Sequence, residues 1–342
     1  MIQLQPCTKI FVYCPAGVVS GGPELLHQLV DIINSNNRQA FIVYYGEKEH
    51  KIPSEYSSYN IKLASKIEDS KENIVVIPEG LCNLLCEGEY IQKLLWWLSV
   101  DHFFMICRGI LSPFDLIQWD FNMGIRTIAG RILRLLQGRN HFKNNLSLAK
   151  MRKMNITHAY QSEYAQSFLL NNGFDNLFPL KDYINTELCN YVNSDHRENI
   201  ILYNPKKGLE YTKELIKLTS GVQWVPVQNM TRKELVSLMR KSKLYIDFGY
   251  HPGKDRLPRE AAMNGCCVIT GIDGSARFFE DVPINSSYKF NQKNTSKNKI
   301  ASRINHVINN YDTCINDFDF YRKCILIERA DFIRQAKFLF CL

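Results

Sequence analysis

The 342-residue chain predicts an α/β fold of two doubly wound, Rossmann-like domains in tandem, facing each other across a cleft. Three observations carry that expectation. Short continuous apolar runs alternate with helical periodicity, the pattern of parallel strands covered on both faces. The alternation breaks in a polar stretch between about Asp182 and Glu198, then restarts. At roughly 150 residues per domain, the length also accommodates two.

In the first domain Lys9 to Tyr13 forms a strand, and the loop Pro15 to Gly22 leads into a helix from Pro23, a favoured first helical residue. Leu25, Leu26, Leu29, Val30, Ile32 and Ile33 share one face of that helix, and Asn36 and Asn37 end it. Ala40 to Tyr45, Ile74 to Ile77, Leu94 to Val100 and Ile156 to Tyr160 are four further strands, the last leading into a helix from Ser162 to Asn171. Past the polar linker the order is strand Asn199 to Tyr203, helix Gly208 to Thr219, strand Val222 to Val225, helix Arg232 to Arg240, strand Leu244 to Phe248, helix Leu257 to Asn264 and strand Cys267 to Thr270. Thr231 and Glu234 make a capping box, with Met230 and Leu235 as its hydrophobic staple. The expected divisions are 1–182, 198–322 and a helical segment 323–342 that packs back on the first domain.

Apolar residues at 45% and charged ones at 22% exclude a disordered or fibrous chain. The longest apolar run, Leu94 to Leu111, is broken by Asp101, His102 and Arg108, so no spanning helix is expected. The N-terminus has no signal-peptide pattern, and the expected location is cytoplasmic. None of the eleven cysteines falls in a C-x-x-C pair, so the thiols read as reduced, with Cys14, Cys107 and Cys267 in core runs and no zinc site.

The formal net charge of +8 is unevenly spread. No acidic residue lies between Asp120 and Glu163, where Arg126, Arg131, Arg134, Arg139, Lys143, Lys150, Arg152 and Lys153 supply eight positive charges. Such a patch favours an anionic partner. Thr127 to Gln137 reads as a basic amphipathic helix carrying Ile128, Ile132, Leu135 and Leu136, either packed into the fold or resting on an anionic membrane through 126–153. The second reading adds a peripheral place on the inner face of the cytoplasmic membrane. Nucleic acid is disfavoured, because no recognition motif accompanies the charge.

In parallel sheets ligands sit beyond the carboxyl ends of strands, which directs attention to the loops there. The loop holding Gly21 and Gly22 is neither G-x-G-x-x-G nor a P-loop, and serves as a tight turn or as a close approach to a ligand. Lys206 and Lys207 stand in Asn204-Pro205-Lys206-Lys207-Gly208, where a helix start beside two ammonium groups suits a phosphate. The densest cluster runs from Asp247 to Ile269, with His251, Lys254, Arg256 and Arg259 as phosphate-binding candidates and Glu260 as a ribose acceptor. Asp101 and His102, after the apolar strand, are catalytic candidates: a base for an attacking hydroxyl, with helix capping as the alternative for Asp101. Asp317-Phe318-Asp319 has D-x-D spacing but lies outside any strand-end context.

The Gly-Gly loop, the lysine-glycine turn and the stretch Arg259-Glu260-Ala261-Ala262-Met263-Asn264-Gly265-Cys266-Cys267-Val268-Ile269 together resemble glycosyltransferases of the GT-B class, closest to bacterial enzymes that build surface polysaccharides such as lipopolysaccharide and capsule. The resemblance covers most of the chain and is strongest from Asn199 to Gly274. It implies a nucleotide-sugar in the C-terminal domain and a glycan or lipid-linked acceptor in the N-terminal one, with no cofactor and no metal. It also implies that Lys207 contacts the diphosphate and that Glu260 matches the second glutamate of a Glu-(seven residues)-Glu motif. The first glutamate falls on Pro252 and is absent. Two other readings keep some of these features: a nucleotide-sugar epimerase of the same fold, and a non-catalytic glycan- or anion-binding module.

Overall fold

The structure, a computed structural model, describes residues 2–46, 48–138, 146–185 and 197–342. Most of the expected linker (186–196), with Arg139 and Lys143, lies outside the described residues. The chain divides into two compact units, one of Met1–Gln161, Ala165–Lys181 and Phe332–Leu342, the other of Ser162–Tyr164 and Asp182–Asp331.

The first unit is built on six parallel strands: β1 (Lys9–Pro15), β2 (Gln39–Tyr45), β3 (Ile74–Pro78), β4 (Gln92–Trp97), β5 (Ile156–Tyr160) and β6 (Leu177–Pro179). Their order is β2-β1-β3-β4-β5-β6, with Phe11 of β1 paired to Phe41 on one side and Val75 on the other. Helices α1 (Gly21–Ser35), α2 (Val100–Cys107), α3 (Pro113–Trp119), α4 (Phe121–Leu136), α5 (Leu148–Arg152) and α6 (Glu163–Asn171) connect them. Every residue of β3 and β5 is buried, as strands covered on both faces require. Trp97 packs against Phe103 and Phe168 at centroid distances of 4.8 and 5.6 Å, and Trp96 donates to the Leu180 carbonyl at 3.0 Å. Phe332 stacks on Trp96.

The second unit has a five-stranded parallel sheet in the order β11-β10-β9-β7-β8, from β7 (Glu198–Tyr203), β8 (Gln223–Pro226), β9 (Ser242–Asp247), β10 (Cys267–Gly271) and β11 (Lys289–Phe290). Its helices are α7 (Leu209–Leu218), α8 (Arg232–Lys241), α9 (Arg256–Met263), α10 (Lys297–Asn309), α11 (Tyr311–Cys314) and α12 (Asp319–Phe340), the last continuing into residues of the first unit. Tyr245, Ile246, Val268 and Ile269 form the centre of its core. The capping box of α8 is present in both directions, Thr231 with Glu234.

Both sheets share one topological feature that places a site. After its first strand each chain segment pairs on one side, then crosses to the other: β1 lies between β2 and β3, and β7 between β8 and β9. At such a reversal the two loops leaving the carboxyl ends run apart and open a crevice. The crevices therefore lie between the β1 and β3 loops and between the β7 and β9 loops.

Among the element boundaries that differ from expectation, two lie beside the strand ends that matter most. The Leu94–Val100 run ends as strand at Trp97, because the Ser99 side chain accepts from the His102 N–H at 3.1 Å and starts α2. Helix α1 begins at Gly21, two residues before Pro23. The D-x-D pair is structural: Asp317 accepts from the Tyr288 hydroxyl and Asp319 pairs with Arg322. Cys14, Cys107 and Cys267 are buried free thiols.

Candidate functional site

At the reversal of the second unit, the loops after β7 and β9 are locked together around Lys207. Gly249 lacks the carbon that would stand 2.3 Å from Cγ of Lys207, so the lysine stem crosses the other loop's backbone at close range. Gly208 caps α7 with φ of 66°, in the left-handed region, where a side chain would also meet the Phe248 backbone at 2.7 Å. The Lys207 ammonium donates to the Tyr250 carbonyl at 3.0 Å, contacts the Asp255 carboxylate and lies 3.5 Å from Asp247 Oδ2. Asp247 accepts from the Tyr245 hydroxyl at 3.0 Å and from the Gly249 N–H at 2.9 Å. His251 Nδ1 lies 2.8 Å from Asp255 Oδ2. Burial alone would raise the Asp255 carboxyl, but His251 and Lys207 outweigh it and hold the group down at about 2.

Asp247, His251 and Asp255 bring one ligand atom each to within 4.8 Å of one another, a spacing that suits a metal ion. The Lys207 ammonium contacts both carboxylates of that trio and is itself the cation against them.

The phosphate-binding candidates separate into two groups. Lys206 is exposed, Arg256 is half-buried in the first turn of α9, and Lys207 keeps 22% of its side chain accessible. The others turn inward, whereas the sequence offered them as phosphate or ribose contacts while leaving a salt bridge open for any one of them. Arg259 is fully buried and donates to Asp182 and Glu328, each at 2.8 Å, and to the Lys254 carbonyl at 2.9 Å. Although burial works against its charge, the two carboxylates raise its pKa further. Lys254 pairs with Glu328 at 2.7 Å. His251 is fully buried, and Glu260 is nearly so and pairs with Arg232 at 3.1 Å. Arginine and lysine head groups are hydrated at low cost at a surface, so the spacing of this cluster could not show which of them are sealed. Their partners Asp182 and Glu328 are distant in sequence and left no local signal.

The crevice of the first unit gathers Gly21, Gly22, Glu79 and the start of α2. The Tyr56 hydroxyl bridges the N–H and carbonyl of Ser20, fixing the loop before Gly21. Asp101 is buried at 3% exposure in the first turn of α2, whereas His102 is exposed, so the two do not share an environment. Ser99, not Asp101, accepts the capping hydrogen bond. Sequence reasoning missed Glu79, which closes β3 in Pro78-Glu79-Gly80. Its carboxylate accepts from the Leu98 N–H at 2.9 Å. Burial pushes it up to about 8 despite that hydrogen bond.

No protein-family model matches the chain, and no curated protein matches it in sequence. Solved structures match its fold. Sucrose-phosphate synthase from Thermosynechococcus elongatus superposes with a TM-score of 0.65 at 11% identity, over 98% of both chains. HepE from Anabaena in complex with UDP gives 0.58 at 10% identity, again over 98% of both. TarM from S. aureus gives 0.50 at 16% identity over 80% of this chain, and the chain spans 56% of TarM's length. Two parallel α/β units of this kind constitute the GT-B fold.

Removing the Arg259 guanidinium leaves Asp182 without its cation in a buried site. Arg259→Ala is expected to destabilise the protein by about 3–5 kcal/mol in urea unfolding, the cost of breaking a buried ion pair. An arginine whose role was ligand contact alone would leave the midpoint nearly unchanged. For Glu79 the folded carboxyl holds a proton that the unfolded chain loses near pH 4.5, so stability falls as pH rises from about 4.5 to about 8. Glu79→Gln, which keeps the acceptor for Leu98, is expected to flatten that slope; identical pH dependence in the two proteins would show the carboxyl to be ordinary.

Proposed function

We propose that the chain is a glycosyltransferase that moves a sugar from a nucleotide-sugar to a hydroxyl of a surface glycan or lipid-linked acceptor. The observation that carries this reading is the interlocked pair of loops at the strand reversal of the second unit, with Lys206 and Arg256 beside the starts of α7 and α9. The starts of α7 and α9 have no side-chain cap and favour an anion, and the GT-B fold and the likeness to a UDP-bound structure make a nucleoside diphosphate the anion of choice. In this reading Lys206 and Arg256 stabilise charge as it develops on the leaving diphosphate. Lys207, its charge met by Asp247 and Asp255, holds the two loops in register and presents its stem and one edge to the ligand.

The acceptor belongs to the first unit. Deprotonating a hydroxyl near neutral pH needs a base whose pKa has been raised towards it. Asp101 remains the assigned base, and Glu79, raised by burial at the adjoining strand end, is a second candidate on the same rim. Metal independence is supported by Lys207, which contacts both carboxylates of the metal-like trio.

The test is incubation with a panel of UDP-, GDP- and CMP-sugars, reading thermal stabilisation and then nucleotide release with and without an added glycan acceptor. Lys206→Ala with Arg256→Ala is expected to raise KM for the donor at least roughly a hundredfold, the scale of two lost charge-assisted hydrogen bonds. Asp101→Asn should lower kcat with donor KM unchanged. Acceptor-independent conversion of the sugar would make the chain an epimerase, and an unchanged donor KM would remove the phosphate role. Turnover is expected to persist in excess EDTA; its loss, restored by one divalent ion, would assign a metal to Asp247, His251 and Asp255.

A further inference from the structure

Helix α4 is built unlike the other long helices of the first unit. Of its sixteen residues only Gly124 is buried, although the helix is rich in large apolar side chains. Phe121, Ile125, Ile132, Leu133, Leu135 and Leu136 are all exposed, Leu136 to 80%. Ile106 of α2 and Phe114 of α3 extend the apolar surface at 63% and 65% exposure. The sequence left open whether this helix packs into the fold; it rests on α3 at Gly124, but most of its large apolar side chains face away. A monomer rarely leaves so much contiguous apolar surface to water without a partner.

The helix is nevertheless held in place. Trp119, at the end of α3, stacks on Phe104 at a centroid distance of 4.4 Å and an interplanar angle of 6°. Asp120 caps α4 by accepting from the Met123 N–H at 2.8 Å. Arg131 donates to the carbonyls of Arg108, Gly109 and Leu111, at 3.0, 3.2 and 2.6 Å, tying the middle of α4 to the end of α2. Between these elements is a hollow of about 630 Å³ lined by Arg108, Arg126, Arg131 and Arg134 together with Asp120 and Met123. Among the described residues Asp120 is the only carboxylate lining it, and its carboxylate is engaged by the helix cap.

We propose that α4 and the ends of α2 and α3 form a docking surface for an anionic phospholipid bilayer, with the arginine-lined hollow receiving lipid phosphates. Charge complementarity selects this occupant: the apolar surface is interleaved with arginines, and no acidic residue follows Asp120 until Glu163. A second copy of the chain would bring the same arginines against one another. At 1.5 Å per residue α4 is about 24 Å long, and no helix among the described residues is long and apolar enough to cross a membrane. Lying in the headgroup plane is therefore the geometry that satisfies both its faces: leucines and phenylalanine enter the acyl boundary while guanidinium groups meet phosphates. Lys150 and Lys153, exposed on and just after α5, add to the same positive field.

The experiment is sedimentation of the 342-residue chain with vesicles of phosphatidylcholine alone and of phosphatidylcholine with one-third phosphatidylglycerol, at low and high salt, with no sugar donor present. Binding is expected only to the anionic vesicles and is expected to weaken as salt rises. Arg126→Glu with Arg134→Glu should reduce it at least roughly tenfold, and so should Leu133→Ser with Leu136→Ser. All four side chains are exposed, so thermal unfolding should match the parent. Equal binding to neutral vesicles, or loss on charge reversal alone with no effect of the serine pair, overturns the proposal. A dimer in analytical ultracentrifugation that Leu133→Ser with Leu136→Ser dissolves assigns the surface to a second copy instead. Because no donor is present, a failure here leaves the transferase reading standing, and the reverse.

Discussion

An ammonium group near the end of a parallel sheet must either reach water or find carboxylates, and Lys207 finds two. Its stem threads past Gly249 and its head group meets Asp255 and Asp247, so the β7–α7 and β9–α9 loops are joined through it. That contact sits where the strand order reverses, which is where the topology leaves a crevice. Much of the site follows from it. Gly208 is constrained by the approach of the Phe248 backbone, Tyr245 donates its hydroxyl to Asp247 Oδ2, the oxygen that Lys207 also approaches, and the buried His251 lies against Asp255. The same pairing cancels most of the positive charge that a reader of the sequence would assign to Lys207.

The cationic cluster Lys254-Asp255-Arg256-Leu257-Pro258-Arg259 shows how one short segment divides its labour. Helical spacing turns Arg259 to the inner face of α9, into a buried set with Asp182, Glu328 and Lys254 in which two positive groups face two negative ones. Desolvating four charges is costly, and such a set persists only when each has a partner with good geometry. Here the hydrogen bonds to Glu328 and Asp182 and those to the backbone carbonyls of Asp255 and Lys254 satisfy the guanidinium. Arg259 therefore holds α9 against α12 and the segment at Asp182, and the start of α9 is rigid enough for Arg256 to be placed by it.

The periodicity of the sequence revealed nearly all of the strand order's raw material, because strands buried on both faces leave continuous apolar runs such as Ile74–Ile77 and Cys267–Thr270. It could not reveal β6 or β11, which have three and two residues and whose pairing is decided by neighbours. The loops that hold the site were legible from Gly, Pro and charge at strand ends. The direction of each side chain was not, since inward and outward charges look alike until their partners, 69 residues away for Arg259 and Glu328, are placed. Glu79 was invisible for a related reason: a glutamate after a strand is ordinary, and only burial against the Leu98 backbone changes its acidity.

The missing first glutamate at Pro252 also acquires a physical account. Pro252 and Gly253 turn the loop so that the His251 carbonyl accepts from the Ser275 N–H at 2.9 Å and the Gly253 carbonyl from the Ser275 hydroxyl at 2.6 Å. The loop is thereby fastened to the turn after β10, and no side-chain carboxylate is present at position 252. The acidic groups that are nearby, Asp247 and Asp255, share Lys207, which offsets part of their field on an approaching anion. Lys206, exposed, and Arg256, half-buried at the start of α9, stand beside that partly compensated pair, and an anion bound there would meet less negative field than the number of carboxylates alone implies.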